Sequence, residues 1–296
     1  MLEPAASHDE EAQGSPTHER KSTLGLHVST AVGELLGTAM FLFLAEGAAK
    51  TANLGRTAAQ QGAEASLDNS TILTIATSFG LSLIVTAWIF FRITGGLFNP
   101  AITFALWLVG VLTAVRAIIL FFAQIVGGIL AAALVLALTP SKGGSSSGVD
   151  LVNNDLTGVS IAQGFFLEAI GTSILVFTVL LLAVEKHRAT FLAPIGIGLA
   201  LFAIHLFLLP WTGCAVNPAR AFGPAVVSGN FPGIHWIFWI APLFGSMLAV
   251  LYFEVLKAFE YNRAVLAIDS EKETTVLTPV HKRIFNGGKK AVKTAL

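Results

Sequence analysis

The chain has 296 residues, 54% of them hydrophobic and only 12% charged, about half the charged share of a soluble domain. Lys plus Arg equals Asp plus Glu at 18 each, so no net basic field argues for nucleic acid. Cys214 is the single cysteine, which excludes an internal disulfide and a cysteine-based metal cluster. The balance is that of a polytopic membrane protein, and no cofactor is expected.

In chain order, residues 1–28 form a polar tail carrying Asp9, Glu10, Glu11, Arg20 and Lys21. It lacks the basic-then-apolar layout of a cleaved signal peptide, so the first hydrophobic helix is expected to act as the targeting signal. Six apolar stretches then reach the roughly 20 residues needed to cross a bilayer. They are placed at 29–50, 71–92, 113–138, 162–184, 191–210 and 235–258. Polar segments with Gly and Ser separate them, notably 51–70 and 139–160, and a second polar tail covers 259–296. Two further apolar pieces begin at Asn99 and Asn217 and offer only about ten helical residues each, roughly 15 Å, or half a bilayer. Meeting tip to tip, they make one full crossing. Irregular backbone at that depth is tolerated where it is buried in protein or lines a wet cavity.

Basic residues set the orientation. With both tails cytoplasmic, the inner side carries Arg20, Lys21, Arg92, Arg116, Lys186, Arg188, Lys257 and Arg263, plus the basic residues of the C-terminal tail. The outer side carries only Lys50, Arg56, Lys142 and Arg220. This bias predicts both termini inside.

The chain repeats itself. Glu34, Gly37 and Thr38 in the first span match Glu168, Gly171 and Thr172 in the fourth, and Asn99-Pro100-Ala101 matches Asn217-Pro218-Ala219. Each half holds three spans, an odd number, so the halves sit upside down relative to each other: repeat one over 29–138, repeat two over 162–258. Inverted repeats place their special sites near the membrane midplane. Asn is a preferred helix cap and Pro is favoured at the first helical position, so each Asn-Pro-Ala reads as a helix start. Abutting half-helices point their positive dipole ends at one midpoint, where the Asn amides can donate to a passing oxygen and cations are repelled.

Across residues 29–258 the sequence resembles the aquaporin (major intrinsic protein) family. The resemblance is carried by Glu34, Gly-Gly-Leu-Phe-Asn-Pro-Ala at 95–101, Gln124, Glu168, Thr-Gly-Cys-Ala-Val-Asn-Pro-Ala-Arg at 212–220, Phe-Gly-Pro at 222–224 and His-Trp-Ile-Phe-Trp at 235–239. It implies an all-α hourglass with six transmembrane helices and two re-entrant half-helices. It also implies a homotetramer with one pore per subunit, a lipid bilayer as surroundings and water as permeant.

The family's narrowest point maps to Phe79, 20 residues before Asn99, to His205, 12 before Asn217, and to Cys214 and Arg220. Phe and His narrow the pore, and Arg supplies fixed donors and a permanent charge. Glycerol-conducting members usually have Gly in place of this His and Asp after this Arg; Ala221 stands there here. The pattern resembles water-selective members. The resemblance places Cys214 at the pore border, where a mercurial would block it. Glu34 and Glu168 are expected to accept hydrogen bonds from the backbone of the dipping loops, with Gln124 beside them. Gly33, Gly37, Gly127, Gly128, Gly171 and Gly245 are expected to allow close helix packing.

The leading expectation is a passive water channel in the plasma membrane. The alternatives are a facilitator of a small neutral solute (glycerol, hydrogen peroxide or ammonia) and, more remotely, a secondary transporter, because inverted repeats with broken helices occur there too. An enzyme is not expected, since no Ser/His pair, paired Asp or metal-ligand cluster falls within the spans. In the tails, Ser15-Pro16 and Thr278-Pro279 are candidate phosphorylation sites. The basic run 281–283 with Lys289 and Lys290 is a candidate contact for anionic lipid.

Overall fold

A computed structural model describes residues 23–54, 67–140 and 153–261. The tail motifs lie outside these residues, as do Arg20, Lys21, Arg56, Lys142 and Arg263 of the charge count. Among the described residues the chain is all helical. The α-helices are α1 (Thr23–Leu54), α2 (Asn69–Phe90), α3 (Pro100–Leu108), α4 (Ala114–Leu138), α5 (Ile161–Val179), α6 (Ala193–Thr212), α7 (Pro218–Ser228) and α8 (Ile237–Ala258). Six are long and apolar enough to cross a membrane.

The boundaries differ from expectation where local chemistry decides them. The first helix begins at Thr23 rather than 29 and spans 32 residues, about 48 Å at 1.5 Å per residue. Its first turns therefore extend the span beyond an apolar core of about 30 Å. Elsewhere caps set the starts. Asp68 accepts from Thr71 N at 2.9 Å to begin α2, and Thr113 caps α4 through Arg116 N. Ser160 and Gln163 form a reciprocal capping box at α5. The fourth span does not end as an α-helix. It widens into a π-turn over Leu180–Val184, with Glu185 N donating to Leu180 O at 2.9 Å. The fifth starts with a 3-10 turn at Thr190–Leu192.

Packing follows the inverted repeat. α1 lies along α4 as α5 lies along α8, α1 touches α2 as α5 touches α6, and α4 touches α7 as α3 touches α8. α2 and α6 cross between the halves, and the two short helices α3 and α7 meet at their starts. Backbone closeness at these crossings explains the small residues. A Cβ on Gly127 would collide with Leu35 O, and a Cβ on Gly245 with Ala169 O. Leu35 and Ala169 are the residues that follow the two repeat-related Glu. The outward faces carry large exposed apolar side chains, among them Met40, Leu44, Phe122, Phe166 and Leu251.

Candidate functional site

The two short helices begin with the same construction. Asn99 is the extended cap of α3, and its Oδ1 accepts from Ala101 N at 2.9 Å. Asn217 caps α7, its Oδ1 accepting from Ala219 N at 2.9 Å. Pro100 and Pro218 occupy the first turns, where a missing N–H leaves no helix bond unmade. Each Asn also reaches into the opposite repeat. Asn99 Nδ2 donates to Val216 O, and Asn217 Nδ2 donates to Phe98 O, both at 2.9 Å. An amide NH2 has two hydrogens. Each Asn therefore spends one on locking the two loops together and keeps the other for the cavity, which both residues line.

The residue before each Asn carries strain. Phe98 has φ 49° and Val216 φ 42°, in the left-handed region that side chains with a Cβ avoid. Two devices hold them there. Glu34 accepts from Leu97 N at 3.1 Å and from Phe98 N at 2.8 Å. Glu168 accepts from Ala215 N at 2.9 Å and Val216 N at 2.7 Å. One turn along each helix a glycine leaves room for neighbouring side chains, Gly37 for Phe98 and Gly171 for Leu208 and Ile204 of α6 as well as Val216. The repeated Glu-x-x-Gly is thus one carboxylate clamp and one seat per loop. Gln124 ties the first clamp down, donating to Glu34 Oε2 at 2.7 Å and to Thr103 Oγ1 at 2.8 Å. In the second repeat Thr212 plays the neighbouring part, donating to Glu168 and accepting from Cys214 N.

On the other side of the Asn pair, Phe79 of α2 and His205 of α6 stack, with ring centroids 4.3 Å apart and planes 24° apart. Arg220, in the first turn of α7, sits over the Phe79 ring with its guanidinium carbon 5.3 Å from the centroid. Its Nη2 donates to Gly213 O at 3.4 Å. His205 Nδ1 lies 3.0 Å from Leu201 O, an acceptor only, so Nδ1 carries the proton. Nε2 is then the acceptor, and it has no hydrogen-bond partner among the described residues. Phe79, His205, Arg220, Asn99 and Asn217 all line one cavity, completed by apolar walls that include Phe41, Leu83 and Ile102.

Ala101 and Ala219 are fully buried behind the caps. Ala101 O accepts from Ser246 Oγ of α8 at 2.8 Å, and the Ala219 backbone packs on Gly128 of α4.

Cys214 follows Gly213, the C-cap of α6. It is not among the residues lining this cavity. It is a free cysteine, fully buried in the main apolar core, with φ 49°. Phe41, Thr103 and Ser246 went unread in the sequence, and Phe98, Thr212 and Val216 stood in the matched motifs without an assigned role. Phe98 and Val216 each immediately precede a duplicated Asn-Pro-Ala.

The family profile of MIP, Major intrinsic protein, matches residues 22–253. The chain is 45% identical over 247 residues to "Aquaporin-1" of Botryotinia fuckeliana, covering 83% of this chain and 51% of that protein. It is 44% identical over 261 residues to "Aquaporin-7" of the same organism, covering 88% and 56%. The chain thus spans about half the length of these curated relatives. Among solved structures, the aquaglyceroporin from Plasmodium falciparum superposes with a TM-score of 0.65 at 22% identity, over 77% of this chain and 95% of that one. At that identity the likeness is one of fold alone.

Proposed function

Because the chain belongs to the major intrinsic protein family, whose members are channels, we propose that it is a passive transmembrane water channel. In this reading water crosses in single file past the Asn pair and a filter of Phe79, His205 and Arg220. The observation that carries water over larger solutes is the Phe79–His205 stack with Arg220 above it, which fills the outer cavity with two rings and a guanidinium. The remaining polar groups there, Arg N–H donors and the His205 Nε2 acceptor, match a molecule that both donates and accepts within one oxygen. A glycerol backbone would need the rings to part.

The Asn pair supplies the barrier to protons. A water oxygen accepting from the free N–H of Asn99 and of Asn217 has both lone pairs engaged. Its hydrogens then point along the lumen in both directions, and at that moment it cannot accept a proton from either neighbour. The positive ends of α3 and α7 add an electrostatic penalty for any cation at the same spot. This is the barrier generally ascribed to aquaporin-type pores. We further propose a channel domain over 29–258 with repeats at 29–138 and 162–258, flanked by polar cytoplasmic tails at 1–28 and 259–296. It would be assembled as a homotetramer in the plasma membrane with both termini inside. The exposed apolar faces of α1, α4, α5 and α8 fit lipid and neighbouring subunits.

Facilitated passage of glycerol, hydrogen peroxide or ammonia is the competing reading. Purified protein in liposomes separates the two: under an osmotic step the account expects rapid shrinkage and no glycerol re-entry above the lipid background. Glycerol entry on the same timescale as water would favour the facilitator.

A further inference from the structure

Residues 153–158, in the segment that joins the two repeats, form no helix, yet Asn154 is only 2% exposed. They lie across the end of α6 as a strap. A helix leaves its last carbonyls without internal partners. Three consecutive carbonyls at this end are answered from outside the helix. Trp211 O accepts from Thr157 N at 2.8 Å, and Thr212 O accepts from Asn154 Nδ2 at 3.1 Å. Gly213 O accepts from Arg220 Nη2 at 3.4 Å. The strap thus fills the first two places and the arginine the third. Asn154 also lies against Gly213 itself: a Cβ there would stand 3.0 Å from Asn154 Nδ2 and 3.4 Å from its Cα. Both peptide planes that flank Gly213 are held. Asn154 grips the Thr212 carbonyl on one side, and Thr212 Oγ1 accepts from Cys214 N on the other. The orientation of these planes decides where Gly213 O points. Asn153 carries the strap on to α7, donating from Nδ2 to Ser228 Oγ at 3.1 Å. The end of α6 is therefore tied to the end of the helix that bears Arg220. Asn154 Oδ1 is buried with no donor among the described residues, a cost that an apolar residue of similar size would avoid.

We propose that Asn154, with Asn153 behind it, is a positioning residue for Arg220: it fixes the carbonyl that fixes the guanidinium. The proposal rests on Arg220 being part of the filter. Selectivity is then set in part by a segment that belongs to neither repeat. Without Asn154 Nδ2, the Thr212–Gly213 peptide turns more freely and Gly213 O is no longer a fixed acceptor. The guanidinium then spends less time over the Phe79 ring. The lumen loses part of its fixed positive charge there, so cations and protons meet a lower barrier while water still passes.

The test is a double-mutant cycle in proteoliposomes of the full chain: wild type, Asn154→Leu, Arg220→Val and the double variant. Proton leak is read with an internal pH dye under a pH gradient, and water flux by stopped-flow on the same vesicles. Asn154→Leu should raise proton leak per unit of water flux about threefold or more, the scale of one hydrogen bond. Arg220→Val should raise it further. Adding Asn154→Leu to Arg220→Val should then change the ratio by less than about twofold, because the asparagine acts through the arginine. A merely structural role would leave the ratio unchanged in Asn154→Leu or raise it equally in both backgrounds, and either result overturns the proposal. If Asn154→Leu fails to reconstitute, Asn153→Ala takes its place, with the same expected ratios and the same contradicting ones. Absent water flux in the wild type would overturn the channel reading and this proposal with it. Normal wild-type water flux with an unchanged ratio overturns this proposal alone.

Discussion

The imidazole of His205 lies nearly flat on the ring of Phe79, 4.3 Å between centroids, so α2 and α6 close the cavity with a face-to-face pair rather than with two independent side chains. Offset-stacked aromatic pairs gain about 0.5–1.5 kcal/mol beyond the area they bury, so each ring steadies the other. Size exclusion is therefore a joint property of the two residues. Replacing both, as Phe79→Ala with His205→Gly, should open a glycerol path, whereas either single change should open it less than additively. Glycerol uptake into proteoliposomes checks this, and no uptake by a folded double variant would contradict the filter.

Glu168 accepts two buried backbone N–H groups, those of Ala215 and Val216. Glu168→Leu should strand both, at about 1–3 kcal/mol each. Thermal or detergent-induced unfolding of the purified protein should show a loss of about 2–5 kcal/mol. Glu34→Leu should behave alike through Leu97 and Phe98 and should also release Gln124. Unchanged stability in both would mean that the loops hold themselves.

Lys257 near the end of α8 pairs with Glu185, just past the π-turn, with side chains 3% and 9% exposed. Breaking one member of a buried pair leaves the other uncompensated. Lys257→Met alone should cost about 3–5 kcal/mol, while Lys257→Met with Glu185→Leu should recover most of it. Equal losses in single and double variants would show that the pair adds nothing.

Cys214 is sealed in the core, so its thiol should react with a bulky mercurial far more slowly in the native protein than after denaturation. As the only cysteine it is also the only thiol available. Rapid native labelling, blocked pores and relief by Cys214→Ser would return it to the lumen and contradict the packing described above.

Much of this architecture was legible in the sequence because membranes impose length. Six stretches of bilayer length and two of half that length leave few arrangements, and Asn followed by Pro marks a helix start wherever it stands. The legible part of the cavity was the part tied to a motif by fixed spacing: Arg220 adjoins an Asn-Pro-Ala, and His205 and Phe79 sit at set distances from one. What depends on contact between repeats was not legible. The left-handed backbone of Phe98 and Val216 exists only because Glu34 and Glu168 grip it and Gly37 and Gly171 make room. Glu185 and Lys257 are far apart in sequence, and Lys257 read simply as an inner-side charge.

The most direct test of the central claim is the temperature dependence of osmotic water flux in proteoliposomes of the purified chain. A lumen through the Asn99–Asn217 contact predicts fast shrinkage with an activation energy near that of bulk water diffusion and no saturation with the gradient. Shrinkage no faster than protein-free vesicles, or flux with the steep temperature dependence of the lipid itself, would contradict it.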